Sequence, residues 1–215
     1  MVAALIEHIL SRRSIRDGFE IRPVPENVIN DVLRCGLAAP SSKDTQPWRL
    51  HVVTDERLRA ELAEAVETAK DPERYVPSDS RTGEPRPDWP SSVIESATAL
   101  RDAPLAVFVE NVAPFSHGRA TVAAADAEHR EDAMVGYGLE AIGLGAAVQS
   151  MWLAATSHGL RGVFMGDVLI AESAIRSRLG MGGDLAGVLA LGYSTGEPRR
   201  ERRLAPDWVV RHTGW

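Results

Sequence analysis

Two short stretches carry the residue types that could do chemistry. "RRSIR", Arg12 to Arg16, puts three guanidiniums and a hydroxyl into five positions, a set able to clamp a dianionic phosphate through bidentate, charge-assisted hydrogen bonds. In an extended segment Arg12, Ser14 and Arg16 point to one side and Arg13 to the other. "APSSKDTQPW", residues 39 to 48, is restricted at both ends by Pro40 and Pro47, whose rings fix φ. There Ser41 and Ser42 offer hydroxyls and backbone N–H groups to a polar partner, and Trp48 is placed to pack at the entrance of a strand. Taken singly, each stretch has a plainer reading: a solvated basic patch beyond a helix C-terminus, where cations are favoured, and an ordinary helix-to-strand loop. Neither serine has a His/Asp partner that would make it a nucleophile. The histidines, at 8, 51, 117, 129, 158 and 212, lack ligand spacing such as H-x-x-x-H, so no metal is expected.

The elements that must position these stretches are legible from periodicity. Val2, Leu5, Ile6, Ile9 and Leu10 recur at helical spacing, which predicts an amphipathic helix ending at the arginine cluster. Pro25 suits the first turn of a second helix, with Val28, Ile29, Val32, Leu33 and Leu37 as its apolar face and Pro40 as its stop. "RLHVVT" (49–54) reads as a strand, and Asp55 as the cap of a helix whose Leu58, Leu62, Ala65 and Val66 face inward. "APLAVFVE" (103–110) and "LAGVLALGY" (185–193) are nearly continuous apolar runs, expected to be strands buried on both faces. Residues 120–158 read as helical, polar first and then apolar. "LRGVFMG" (160–166) reads as a short strand or extended turn, followed by a helix through Leu179 capped by Asp167. Residues 70–92 hold five prolines and many charges, and are expected to form a loop or lid. The pattern is α+β within a single domain spanning 1–215.

Composition narrows the partners. The chain has 215 residues, 44% hydrophobic and 25% charged, with a formal net charge of -6; an acidic balance argues against nucleic acid as the main partner. Cys35 is the sole cysteine, so no intramolecular disulfide forms, and its place in an amphipathic run suggests a small core residue. The positive charges of "MVAALIEHILSRR" follow its apolar run, the wrong order for a secretory signal, and a cytoplasmic location is expected. Residues 133–155 are long and apolar, but Glu140 and Gln149 interrupt them and small residues fill them. They read as a buried helix with close neighbours and not as a membrane span.

In order along the chain, "RRSIRDGF…RPVP", an amphipathic helix and "APSSKDTQPWRL" before a strand together resemble the FMN-dependent nitroreductase family. "GAAVQSMWLAATSHGLRGVFMG" is similar to that family's central helix and the turn after it, and "ALGYSTGEPRRERRLAPDWVV" to its last strand and basic tail. The resemblance implies a central, mostly antiparallel sheet flanked by helices, with a long buried central helix, in an intertwined homodimer. It implies FMN as cofactor, with Arg12 and Ser14, accompanied by Arg13, at its phosphate and ribityl end, Arg16 near the pyrimidine edge, and the backbone of Met165 and Gly166 facing N5. Pro40, Ser41, Ser42 and Asp44 would come from the partner chain, and Arg203 or Arg202 of the tail would complete the phosphate grip.

The activity implied is ping-pong hydride transfer from NADH or NADPH, through flavin N5, to a small electron acceptor such as a nitroaromatic or a quinone. A fixed guanidinium near N1 and the C2 carbonyl would stabilise the reduced ring, and no side-chain acid or base is required. Tyr75 and Trp89 of the 70–92 segment could stack on an aromatic substrate, or could simply pack on the body. Asp44 stands where the family has Asn; a carboxylate only accepts hydrogen bonds and would oppose reduction of a nearby flavin unless a cation offsets it. Two alternatives therefore stay open: a divergent reaction on the same fold (dehalogenation, dehydrogenation of a peptide-like substrate, or flavin fragmentation) and a non-catalytic flavin-binding protein.

Overall fold

Strands form where the sequence concentrates aliphatic and β-branched residues, and helices cover both of their faces. A computed structural model describes residues 2–76, 82–86 and 91–198. In chain order these hold α1 (Val2–Ser11), α2 (Glu26–Leu37), β1 (Trp48–Val53), α3 (Glu56–Glu67), α4 (Val93–Asp102) and β2 (Leu105–Asn111). There follow α5 (Arg119–Ala124), α6 (Arg130–Ser157), β3 (Arg161–Met165), α7 (Glu172–Leu179) and β4 (Asp184–Gly192). The strand order is β1-β2-β4-β3 and every pairing is antiparallel, as expected.

All seven residues of β2 are buried, because the strand is central and has helices on both sides. Alternation along the strands sorts the core into two layers. Val53, Ala106, Phe108, Val188 and Ala190 pack with Leu62, Val66, Ala97, Leu100 and Ile175 of α3, α4 and α7. Leu105, Val107, Val109, Leu189 and Leu191 pack with Val28 and Val32 of α2 and with Leu144, Ala147, Val148 and Met151 of α6. Each Val, Leu, Ile, Phe or Met among them, fully buried, contributes about 1.5–3 kcal/mol. Asp55 caps α3, accepting from the Leu58 N–H at 2.7 Å. Residues 93–102, to which periodicity assigned nothing, form α4, with Val93, Ala97, Ala99 and Leu100 on its buried side.

Several expectations need correction. Cys35 is exposed, because the buried positions Val28, Val32 and Gly36 are four apart and drift about 40° per step around the helix, leaving position 35 about 100° from Gly36 at the end of α2; Leu37 is likewise exposed. The 120–158 helix is broken into α5 and α6. The C-terminal half of α6 is buried, as expected, but Met134, Val135, Leu139 and Ile142 of its N-terminal half are exposed. The apolar face of α1 is also uncovered: Leu5, Ile6, Ile9 and Leu10 all face outward. Asp167 does not cap a helix; it opens a 3-10 turn, Asp167–Ala171, ahead of α7, and makes no cap hydrogen bond there. Among the described residues no helix is long and apolar enough to cross a membrane.

Candidate functional site

After α1 ends at Ser11, the chain runs alongside the free edge of β3. The Ile15 N–H donates to the Gly162 carbonyl at 2.8 Å, and Ser14 pairs with Gly162 in a parallel bridge. Gly162 is itself required by the pairing of β3 with β4, since a Cβ there would clash with the Ala190 carbonyl oxygen. Ile15 is buried, so its neighbours Ser14 and Arg16 fall on the opposite side of the extended segment. The Arg12 guanidinium stacks on Trp152 of α6, its Cζ 4.1 Å from the ring centroid. The Trp152 side chain is buried, and its indole N–H has no acceptor among the described residues. A buried donor beside a guanidinium is a place that an anionic oxygen satisfies.

Arg16 reaches across to α4, its Nε 3.2 Å from Glu95 Oε2. The same end of α4 holds the turn that follows β3: the hydroxyls of Ser92 and Ser96 donate to Asp167 Oδ2 at 2.5 and 3.0 Å. Asp167 Oδ1 is buried without a hydrogen-bond partner among the described residues. Just before it, Met165 is buried, whereas a Cβ on Gly166 would meet nothing within 4 Å. Open space over a backbone turn lets a flat ring approach the main chain. The structure therefore brings Arg12, Arg13, Ser14, Arg16, Met165 and Gly166 to one edge of the sheet.

The second stretch is held at the opposite edge. Pro40, Ser41, Ser42 and Asp44 lead into β1, with Ser42–Asp44 in a 3-10 turn. Lys43, Asp44 and Gln46 have φ of 51°, 53° and 46°, left-handed conformations that cost a non-glycine residue about 1–2 kcal/mol each. The loop is over-determined by its contacts. The Gln46 N–H donates to Ser41 Oγ at 2.9 Å, the Val112 N–H to the Pro47 carbonyl at 2.8 Å, and the Gln46 side-chain amide to Asp44 Oδ1 at 3.4 Å. Ser41 and Pro47 rest on Gly143 of α6, where a Cβ would lie 3.3 Å from that of Ser41. Backbone strain retained under such constraint marks functional loops.

Register shows how far apart the two stretches lie. Ser14 sits beside Gly162, which pairs with Leu191 and through it with Leu105, whereas Trp48 pairs with Asn111 at the other end of β2. From β1 to β3 is three strand spacings, about 14 Å, and the length of β2 adds about 20 Å. The arginine turn and the strand entrance that follows the Ser41 loop therefore stand at opposite edges and opposite ends of the sheet.

Tyr75 is half-buried and packs against the core under α3 and α4, the plainer of its two expected roles. The ends of the 70–92 segment meet where Ser91 Oγ donates to the Pro72 carbonyl at 2.9 Å. Trp89, Arg202 and Arg203 lie outside the described residues. Sequence reading missed Glu95, Asp167 as a hydroxyl acceptor, and two fully buried carboxylates. Burial pushes the Glu140 carboxyl up, but hydrogen bonds from Asn111, Ser116 and Phe115 outweigh it and hold the group below the usual range. Glu110 behaves the same way: His51, the Gly183 N–H and Arg49 overcome its burial. For Glu140 a signal was present, an acid inside an apolar helical run; Glu110 ends a β-strand run with no such break.

Comparison with known proteins agrees with this fold. The model of the Nitroreductase family matches residues 9–193. A chloronitrobenzene nitroreductase of Comamonas testosteroni is 36% identical over 81 residues, 37% of this chain. The chain spans about a third, 36%, of that relative's length. Among solved structures, NADPH:FMN oxidoreductase from Vibrio harveyi complexed with NAD+ superposes with a TM-score of 0.68 at 22% identity, over 98% of this chain and 77% of that one. A nitroreductase with bound FMN from Desulfitobacterium hafniense superposes with a TM-score of 0.68 at 18% identity, over 97% of each chain.

Proposed function

Since the chain belongs to the nitroreductase family, we propose that it is an FMN-dependent oxidoreductase that moves hydride from NADH or NADPH to a small acceptor, a nitroaromatic or a quinone. The observation that carries this reading is the convergence of the Arg12–Arg16 turn and the open backbone at Gly166 on one sheet edge. Arg12, with Arg13, Ser14 and the buried Trp152 N–H, would hold the phosphate and ribityl end. Arg16 would lie at the pyrimidine edge, and the Met165–Gly166 backbone would line the ring. Arg203 or Arg202 would add a further cation to the phosphate. When bound, FMN supplies the redox chemistry; the residues of the chain bind it, orient it and set the charge around it.

The opposite placement of the Ser41 loop supports a homodimer in which Pro40, Ser41, Ser42 and Asp44 serve the partner's site. The exposed apolar side chains of α1 and α6 support the same assembly, since a contiguous uncovered apolar face marks an interaction surface.

The test is direct. The purified protein should be yellow or should take up FMN, and saturating FMN should raise its melting temperature; 100 times the Kd corresponds to about 2.7 kcal/mol. A colourless protein with no thermal shift on FMN overturns the reading.

A further inference from the structure

We propose that Glu95 is a positioning residue that holds Arg16 and offsets its charge, so that the site presents a compensated cation to the flavin. The inference rests on the FMN reading above and deepens it. Arg16 comes from the extended segment fixed to β3 by Ile15 and Gly162, while Glu95 stands in the first turn of α4, where a carboxylate is favoured by the helix dipole. The two meet at 3.2 Å with side chains 30% and 33% exposed. A pair so placed is neither fully screened nor fully desolvated, and its charge is still felt a few ångströms away.

The clamp has two points. Ser92, Glu95 and Ser96 lie three and four positions apart and share one face of the helix start. Glu95 holds the cation, and the two hydroxyls hold Asp167, the residue directly after the turn that would line the ring. One helical turn therefore fixes both the guanidinium and the backbone on which the reduced flavin would depend.

The consequence is electrostatic. An uncompensated guanidinium at the pyrimidine edge stabilises the negative charge of the reduced ring more than the oxidised ring. A carboxylate behind that guanidinium removes part of this difference. Glu95 thus lowers the preference of the site for reduced FMN and keeps the bound flavin a stronger reductant.

The experiment measures FMN affinity and the two-electron midpoint potential of the FMN-bound protein. Glu95→Gln keeps the shape and an acceptor for Arg16 while removing the charge. It should bind oxidised FMN within about threefold of the wild type and reduced FMN about tenfold more tightly. A tenfold change is about 30 mV upward for a two-electron couple, and it should shrink at high salt because the pair is partly exposed. Glu95→Asp should restore a potential close to that of the wild type. A role in folding alone would move the melting temperature or the FMN affinity without a salt-dependent potential. An unchanged or lowered potential in FMN-bound Glu95→Gln overturns the inference and leaves the FMN reading standing. Failure of the wild-type protein to bind FMN overturns both.

Discussion

The Asn111 side-chain amide donates to Glu140 Oε2 at 2.9 Å, joining the end of β2 to the middle of α6 in the buried interior. The same carboxylate also takes the Ser116 hydroxyl at 2.7 Å and the N–H groups of Phe115 and Ser116 at 2.8 and 2.9 Å. Four donors thus converge on two oxygens and fix the chain that leaves the sheet. Glu140→Gln turns one oxygen into a donor and strands at least one of these buried partners, which costs about 2–3 kcal/mol. For a chain of this size the melting temperature should fall by about 4–12 °C, as read by circular dichroism or calorimetry.

Glu140 and Glu110 also set the acid limit of stability. Both carboxyls titrate below the usual range in the folded chain, because their hydrogen bonds outweigh burial. A depressed folded value means that the contribution is complete above the unfolded value, about 4.3, and is lost as pH falls through the folded value. Urea unfolding should therefore give a level contribution from these groups at neutral pH and a fall in stability below about pH 4. In Glu110→Gln, already less stable at pH 7, the further loss on acidification should be smaller.

The two central strands, β2 and β4, are readable because they are nearly continuous apolar runs, and the arginine turn because three guanidiniums crowd five positions. What escaped has a common physical cause: pairing across the fold leaves no local pattern. Glu95 is an acid in a stretch to which periodicity assigns no element, and its partner Arg16 lies 79 positions earlier. Asp167 reads as a cap because it precedes a helical stretch, yet Ser92 and Ser96 reach it from another element. The same limit applies to α1, whose periodicity correctly predicts a helix but says nothing of whether its apolar face is covered by its own chain.

Trp152 tests the anion end of the site. Its ring lies under Arg12 and its buried N–H lacks an acceptor among the described residues. Trp152→Phe keeps a packed ring but removes the donor and weakens the cation–π contact. Loss of one such hydrogen bond, about 0.5–1.5 kcal/mol, should raise the FMN Kd roughly three- to tenfold, read by quenching of flavin fluorescence. Arg12→Ala should cost more, about 10- to 100-fold, as a charge-assisted contact is lost. Riboflavin, which lacks the phosphate, should bind Trp152→Phe and wild type equally; a parallel loss for riboflavin would place the indole elsewhere.

Ile142 tests the assembly. It is 72% exposed on α6, on the same helix as Gly143, which carries the Ser41 loop. With Met134, Val135 and Leu139 it belongs to the exposed apolar part of that helix, and a carboxylate at that position would have to be desolvated if a second chain covered it. Ile142→Glu should leave the fold intact, because the side chain contributes little to the core of its own chain. It should weaken the dimer at least about 100-fold, or about 2.7 kcal/mol, as measured by sedimentation. FMN affinity should fall in step with dissociation, as the proposed site shared between the Arg12 turn of one chain and the Ser41 loop of its partner requires. Sedimentation of the wild-type protein as a monomer that still binds FMN tightly would refute the shared site.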